Sequence, residues 1–295
     1  MNPFIQYVGF GIVTAAILAI AAVGFTLQYA VTNVLNLAYG AIMSIGALAA
    51  YAANSAGASI WLALVAGAAS SAVVSVVLSR AVFEPFRRRG LQMFGMVIVT
   101  IALDLFISNG LLILAGSNPF SYNAQAGGSY HFLHMIFTGE QLAVIGIALV
   151  AMVGVRVVLQ WTRLGRAMRA TAADENLARV CGINTQLVKD AAWLLSGALC
   201  GVAGVVLGLS VSGWTVSTGE GLLITVVAAA IVGGIGQPYG AILGALLLGV
   251  ATSLVGGFFN SSYTDITAFT ILILFLIFRP TGLFSGVVKR RDVVV

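Results

Sequence analysis

Residues 141–211 read QLAVIGIALVAMVGVRVVLQWTRLGRAMRATAADENLARVCGINTQLVKDAAWLLSGALCGVAGVVLGLSV. Each end of this stretch is apolar over about 20 residues, the length a helix needs to cross a bilayer. Between them, Thr162–Lys189 is the most charged part of the chain. A charged island between two spans brings the chain out of a membrane and back in on the same face. The stretch therefore predicts helical membrane spans joined by a structured loop.

The rest of the chain agrees. Of its 295 residues, 60% are hydrophobic and 8% charged, against about 25% charged in soluble domains. Mean hydropathy is +1.06. A soluble enzyme or nucleic-acid-binding domain is excluded by this lack of polar surface. An outer-membrane barrel would alternate in segments of about ten residues, whereas these apolar runs are continuous. The 35 glycines and five prolines suit helices that pack closely in lipid.

The net charge of +5 is an orientation signal. All fourteen Lys and Arg fall in three clusters, Arg80–Arg89, Arg156–Lys189 and Arg279–Arg291. Positive charge concentrates on the cytoplasmic side, so these mark three cytoplasmic segments, with the C-terminus inside. Lys289, Arg290 and Arg291 after Arg279-Pro280 are explained by orientation alone. Apolar segments lie near 4–27, 34–53, 59–79, 92–115, 141–160, 190–211, 221–235, 240–258 and 264–279. An even number of crossings must separate successive basic clusters, which splits the run 221–258 at Gly233-Gly234-Ile235-Gly236-Gln237-Pro238-Tyr239-Gly240. The two pieces read either as a tight hairpin of spans or as half-helices. Segments 116–140, 212–220 and 259–263 then fall outside. The N-terminal MNPFIQY has no basic n-region and reads as the start of a first membrane helix. Segment 28–53 reads as a full span or a re-entrant element. The fold class is all-α, polytopic, with about eight or nine transmembrane or re-entrant helices in a single transmembrane domain, 1–295.

Within the loop 162–189, good helix formers run from about Leu164 to Val180. Gly182 suits a C-terminal cap, and Asn184 or Thr185 can cap the next span. The segment reads as one short helix outside the membrane. It serves either as a docking surface for a cytoplasmic partner or as a connector contacting anionic headgroups.

Other residues stand out singly. Asp104, in VTIALDLFISN, is an acid at mid-span, where insertion costs about 2.5–3.5 kcal/mol; it faces a cavity or a partner. Asn33 and Asn36 are amides just before Tyr39, lining a pathway or satisfying backbone groups. Gly197, Gly201, Gly204 and Gly208 form a small-residue packing stripe. His131 and His134 in HFLH fit an interfacial helix, since two histidines fall short of a zinc site; no metal is expected. Cys181 and Cys200 make no disulfide framework. Tyr39-Gly40-Ala41-Ile42 recurs as Tyr239-Gly240-Ala241-Ile242, a short match in biased composition. Lys189 and Lys289 each follow a valine, so neither fits the phosphate-cradling G-x-x-x-x-G-K-[ST] motif.

The string GRAMRATAADENLARVCGIN resembles the cytoplasmic loop of membrane subunits of branched-chain amino acid ATP-binding-cassette importers. NLAYGAIMSIGALAAY, GGIGQPYGAILGALLLG and RPTGLFSG match that family in order and spacing, over nearly the whole chain. The resemblance implies an inner-membrane permease whose coupling helix, within 164–182, fits a groove on an ATP-hydrolysing subunit. The positions carried over are Gly165, Arg166, Arg169, Asp174, Gly182 and Asn184. It also implies two ATP-binding subunits holding ATP and magnesium, a second membrane subunit (homologous or identical) and an extracytoplasmic binding protein. No cofactor is expected in this chain. Many relatives carry N-x-A-H-G-E where this chain has Tyr39 and Ala41, a departure that bears on substrate and not on architecture. Asn33, Asn36, Tyr39 and Asp104 are the candidate pathway residues. The competing readings are an ion-coupled secondary transporter using Asp104, and an intramembrane enzyme, for which no activated nucleophile is visible.

Overall fold

The computed structural model describes residues 3–91, 93–123, 128–132, 135–211, 213–279 and 282–283. In chain order the helices are α1 (Pro3–Thr32), α2 (Tyr39–Ser55), α3 (Ile60–Leu78), α4 (Glu84–Arg88), α5 (Met93–Ala115), α6 (Gly139–Trp161), α7 (Arg163–Ala173), α8 (Glu175–Val180), α9 (Thr185–Ser210), α10 (Thr218–Gly233), α11 (Pro238–Phe258) and α12 (Thr264–Phe278). A π-helical turn, Ser79–Phe83, joins α3 to α4. Among the described residues, seven helical stretches are long and apolar enough to cross a membrane, and α10 is a shorter apolar helix. With α2 these match the nine apolar segments of the sequence.

The core forms where α1, α2, α9, α10 and α11 meet. Leu18, Ile20, Val23 and Phe25 of α1 pack with Ile42 and Met43, Ala203, Ala228 to Ala230, and Ala245 and Leu248. Glycine sets the spacing of these helices. A methyl group at Gly197 would collide with Ser71 and Ser75 of α3; at Gly201 with the Gly67 carbonyl; at Gly204 with the Met43 carbonyl. The stripe read from sequence is thus contact within this chain. Gly249 meets α1 at Ala15 in the same way.

Two helices do not run the full depth. Tyr39, the first residue of α2, accepts a bond from Cys200 Sγ at its carbonyl, 3.2 Å, and its hydroxyl donates to the Ser196 carbonyl at 3.3 Å. Ser196 and Cys200 lie near the middle of the 26-residue α9. Thus α2 starts deep inside the bundle, after the non-helical stretch 33–38, and 28–53 is a broken full span: Val31 packs with Met168 at the basic end, and Asn54 accepts from Asn123 N of the outer segment at the other. Likewise α10 starts deep. A methyl on Gly219 would lie 2.5 Å from both the Gly40 carbonyl and Ser44 Oγ. At about 1.5 Å per residue, the 17 residues of α2 and 16 of α10 span roughly 26 and 24 Å, short of the hydrocarbon thickness of about 30 Å. Their N-termini meet head to head.

Only the far end of 212–220 departs from its placement as an outer loop, since Trp214 pairs with Phe120 of the outer segment 116–140. Glu220 lies in the first turn of α10, beside Gly40. The acid there marks an inward-dipping segment, which charge counting mistakes for a surface. The break at 233–240 is a hairpin. Added methyls at Gly233 and Gly244 would strike the Gly240 and Ala229 carbonyls, so α10 and α11 lie antiparallel in close contact. The two Tyr-Gly-Ala-Ile segments therefore flank α10 at opposite ends, Gly40 at its start and Gly240 at its finish.

Two further expectations change. The helix expected at 131–137 is an antiparallel hairpin, β1 (Ser129–Phe132) with β2 (Met135–Thr138), Ser129 opposite Thr138 and Phe132 opposite Met135. β-branched and aromatic residues suit such a ladder. His131 is in β1, while His134 lies outside the described residues, as do Lys289, Arg290 and Arg291. The single helix expected over about 164–180 is two helices, α7 and α8. Asp174, at φ −157° and ψ 111°, breaks the first and caps the second: its Oδ1 accepts from Leu177 N at 2.9 Å. Aspartate favours a cap over a helix interior because its carboxylate competes for backbone amides.

Candidate functional site

Two constellations carry chemistry. The first is the charged end of the bundle. Thr162 caps α7, its Oγ1 accepting from Gly165 N at 3.0 Å and donating to the Val158 carbonyl at 2.6 Å. Gly165 sits so close to the end of α6 that an added Cβ would overlap the carbonyl oxygens of Val158 and Leu159. Arg169 bonds the Leu159 carbonyl, the kind of cationic C-terminal contact that helix dipoles favour. Met168 is buried with Leu27 and Val31 of α1, Leu159 of α6 and Val188 and Ala192 of α9. Four interactions thus lock α7 onto three spans.

α8 ends in a Schellman motif. Gly182, at φ +83°, donates to the Arg179 carbonyl (3.1 Å), and Ile183 donates to Ala178 (3.0 Å). Of the two caps offered by sequence, Asn184 is the one used; its Oδ1 accepts from Leu187 N at 3.2 Å. Glu175 pairs with Lys189, whose side chain is 3% exposed, and with Arg179 at 2.9 Å. Burial raises the Glu175 carboxyl, but the bond from Lys189 and the charges of Lys189, Arg87 and Arg179 outweigh it and hold the group below its usual range. Asp190 binds Arg80 of the π-turn through two contacts to Oδ2, 2.8 and 3.1 Å. The loop is therefore tied to α3 as well.

This end leaves three bulky apolar side chains uncovered, Leu177, Val180 and Leu187 at 62%, 85% and 60% exposure, and Arg163 and Arg166 are exposed as well. Of the carried-over positions, Gly165, Arg169, Asp174, Gly182 and Asn184 build the loop, while Arg166 faces outward. Sequence reasoning missed Glu175, Lys189, Asp190 and Arg80, whose only signal was charge in opposite-sign pairs near two span ends.

The second constellation is at mid-depth. Asp104 is half-buried near the middle of the 23-residue α5. It lies against the backbone N–H of Ala41 in the first turn of α2 and within Coulombic reach of Glu220. Position 41 is the Ala41 methyl, and the carboxylate beside it comes from α5. Tyr39 is buried edge-on to Phe25, ring centroids 5.6 Å apart, and serves packing. Asn33, exposed at φ 54°, donates to the Tyr29 carbonyl at 2.8 Å and terminates α1. Asn36 is 1% exposed with both amide atoms unpartnered. The structure brings Asp104 and Tyr39 to the same helix start, and sets Asn33 apart. A hollow of about 620 Å³ between α6 and α9, lined by residues such as Ile147, Val150, Leu195 and Leu199, is almost wholly apolar and suits a polar solute poorly.

The family model of the branched-chain amino acid transport system permease component matches residues 7–277. The chain belongs to this family. The permease is 30% identical to the high-affinity branched-chain amino acid transport system permease protein BraD of Pseudomonas aeruginosa, over 95% of each chain. It is 29% identical to the corresponding protein LivH of Escherichia coli K12, again over 95% of each. It is 27% identical to the ribose import permease protein RbsC of E. coli K12, over 87% of this chain and 79% of that one. No solved structure matches it. The resemblance read from the loop motif and the multi-pass helical architecture thus agree with the comparisons.

Proposed function

We propose that the permease is one of two membrane subunits, identical or homologous, of an ATP-driven importer for branched-chain amino acids or related small polar solutes. Its single domain, 1–295, sits in a bacterial inner membrane with the basic end and C-terminus in the cytoplasm. ATP and magnesium bind two partner subunits, and an extracytoplasmic binding protein delivers the solute. The observation that carries this reading is the locked basic end, where α8 exposes Leu177 and Val180, the start of α9 exposes Leu187, and α7 exposes Arg163 and Arg166. An apolar surface with a basic rim is costly in water and suits a partner's groove. Similarity to BraD and LivH supports the amino acid class; similarity to RbsC is why the solute class is drawn broadly.

The coupling follows from the contacts. A push on α7 is delivered to α1, α6 and α9 through Met168 and to α3 through Asp190 and Arg80. The Tyr39 bonds to α9 carry it to the start of α2, where α10 also begins. Rigid elements of this kind transmit displacement because packed cores deform little.

Native mass spectrometry of the complex in mild detergent tests the reading. Two ATP-hydrolysing chains beside two membrane chains, with ATPase stimulated by a solute-loaded binding protein, is the expected result. A particle of this chain alone, active in ion-driven uptake, contradicts it and favours the ion-coupled alternative, which Asp104 supports. Asp104→Asn should then abolish the dependence on an ion gradient.

A further inference from the structure

α5 shows lipid or a neighbour mostly bulky apolar side chains, among them Phe94, Ile98, Leu105, Phe106, Ile113 and Leu114. Its protein-facing side differs. Met96, Thr100 and Ser108 are buried at 5%, 0% and 7% exposure, and with Asp104 they fall four residues apart on one face. The outward continuation of that row is polar: Thr100, Asp104, Ser108.

Thr100 satisfies itself, donating to the Val97 carbonyl at 2.8 Å. Ser108 does not. Its Oγ is sealed from solvent with no hydrogen-bond partner, and one Asp104 carboxylate oxygen is in the same condition. A helical serine ordinarily bonds a carbonyl one turn back; this one bonds none, and it stands one turn on from Asp104 on the same helix face. The opposite wall supplies the starts of α2 and α10, neither of which is capped by a side chain from its own N-cap residue. Glu220 stands in the first turn of α10.

This arrangement holds two carboxylates and lacks a cation. Among the described residues, every ion pair of Lys or Arg lies at the basic end and none involves Asp104 or Glu220. The helix starts contribute only partial positive charge. We propose that Asp104 and Glu220, with the Ser108 hydroxyl, bind the ammonium group of the transported solute as it passes the head-to-head starts of α2 and α10. An ammonium supplies the missing charge and donates three hydrogen bonds, one for each of these oxygen-bearing groups. This rests on the importer reading.

The experiment uses the complete transporter with its ATPase subunits in nanodiscs. Dicyclohexylcarbodiimide, which modifies protonated carboxyls in apolar surroundings, labels Asp104, and peptide mass spectrometry reads the extent. Leucine, isoamylamine, 4-methylpentanoate and sodium chloride are the competitors. Protection of Asp104 by leucine and isoamylamine, with none from 4-methylpentanoate or sodium chloride, is expected. Protection by sodium chloride alone assigns the site to an inorganic cation and overturns the proposal, as does labelling unaffected by any competitor or no labelling at all. Asp104→Asn should abolish protection of Glu220 by leucine, while Asp104→Glu restores it; a merely structural Asp104 would leave that protection in place in both. Leucine uptake by the same complex is measured in parallel. Uptake without protection refutes the ammonium site and leaves the importer reading standing; absence of uptake together with protection by isoamylamine does the reverse.

Discussion

Replacing Gly165 with alanine probes the corner where a partner's motion would enter the membrane. The added methyl overlaps the carbonyl oxygens of Val158 and Leu159. These belong to the last turns of α6 and cannot rotate aside as a side chain would, so α7 must lift. Overpacking of this sort costs about 1–3 kcal/mol. Lifting α7 also strains the Thr162 cap on Gly165 N, which is worth about 1 kcal/mol. A coupling loss of about 1–3 kcal/mol corresponds to roughly 5–150-fold. The assay is ATP hydrolysed per leucine imported by the reconstituted complex, with assembly checked by size-exclusion chromatography. Gly165→Ala should raise that ratio by a factor in this range with assembly intact. Gly182→Asn is the matched control. Gly182 needs only a left-handed conformation, φ +83°, with open space around it, and asparagine visits that region readily; its ratio should stay at the wild-type value. Equal ratios for wild type and Gly165→Ala, or equal damage in both variants, would refute the reasoning.

Asn33→Gly should preserve stability and uptake, while Asn33→Val lowers stability by about 1–3 kcal/mol because φ is +54° there; thermal unfolding in detergent separates them. Gly204→Ala, driven into the Met43 carbonyl, should destabilise by about 1–3 kcal/mol. Gly154→Ala, with nothing within 4 Å, should gain about 0.5–1 kcal/mol in the same measurement. Glu175 is held below its usual value near 4.5, so its pairing with Lys189 stabilises fully above that pH and is lost as pH falls through the lowered value. Melting temperature should therefore drop on the acid side, and Glu175→Gln should remove that part of the slope while lowering the neutral-pH value.

Much of the fold was legible because lipid imposes long apolar runs and a one-sided charge bias. The nine segments, the α9 glycine stripe and the cap at Gly182 follow from rules that act locally. The failures were non-local. Glu220 reads as an outer-surface acid until the head-to-head meeting of α2 and α10 places it beside Gly40. The broken helix at Asp174 was a matter of a single capping residue inside good helix formers. For the site, the glycines and caps of the loop were found by resemblance, and Asp104 by its cost in a membrane. Ser108 and the pairing of Glu175 with Lys189 were hidden, since a serine in an apolar helix and charges 14 residues apart carry no signal until helices are packed.

Cys181 gives the most direct test of the docking claim, because it is exposed at the end of α8 while Cys200 is buried. Maleimide labelling of Cys181 should be rapid in membranes holding the permease alone. It should be strongly protected once the ATP-hydrolysing subunits are assembled. Undiminished labelling in an assembled, transport-competent complex would mean that the α7–α8 surface is not where the partner binds, and the coupling account would fall.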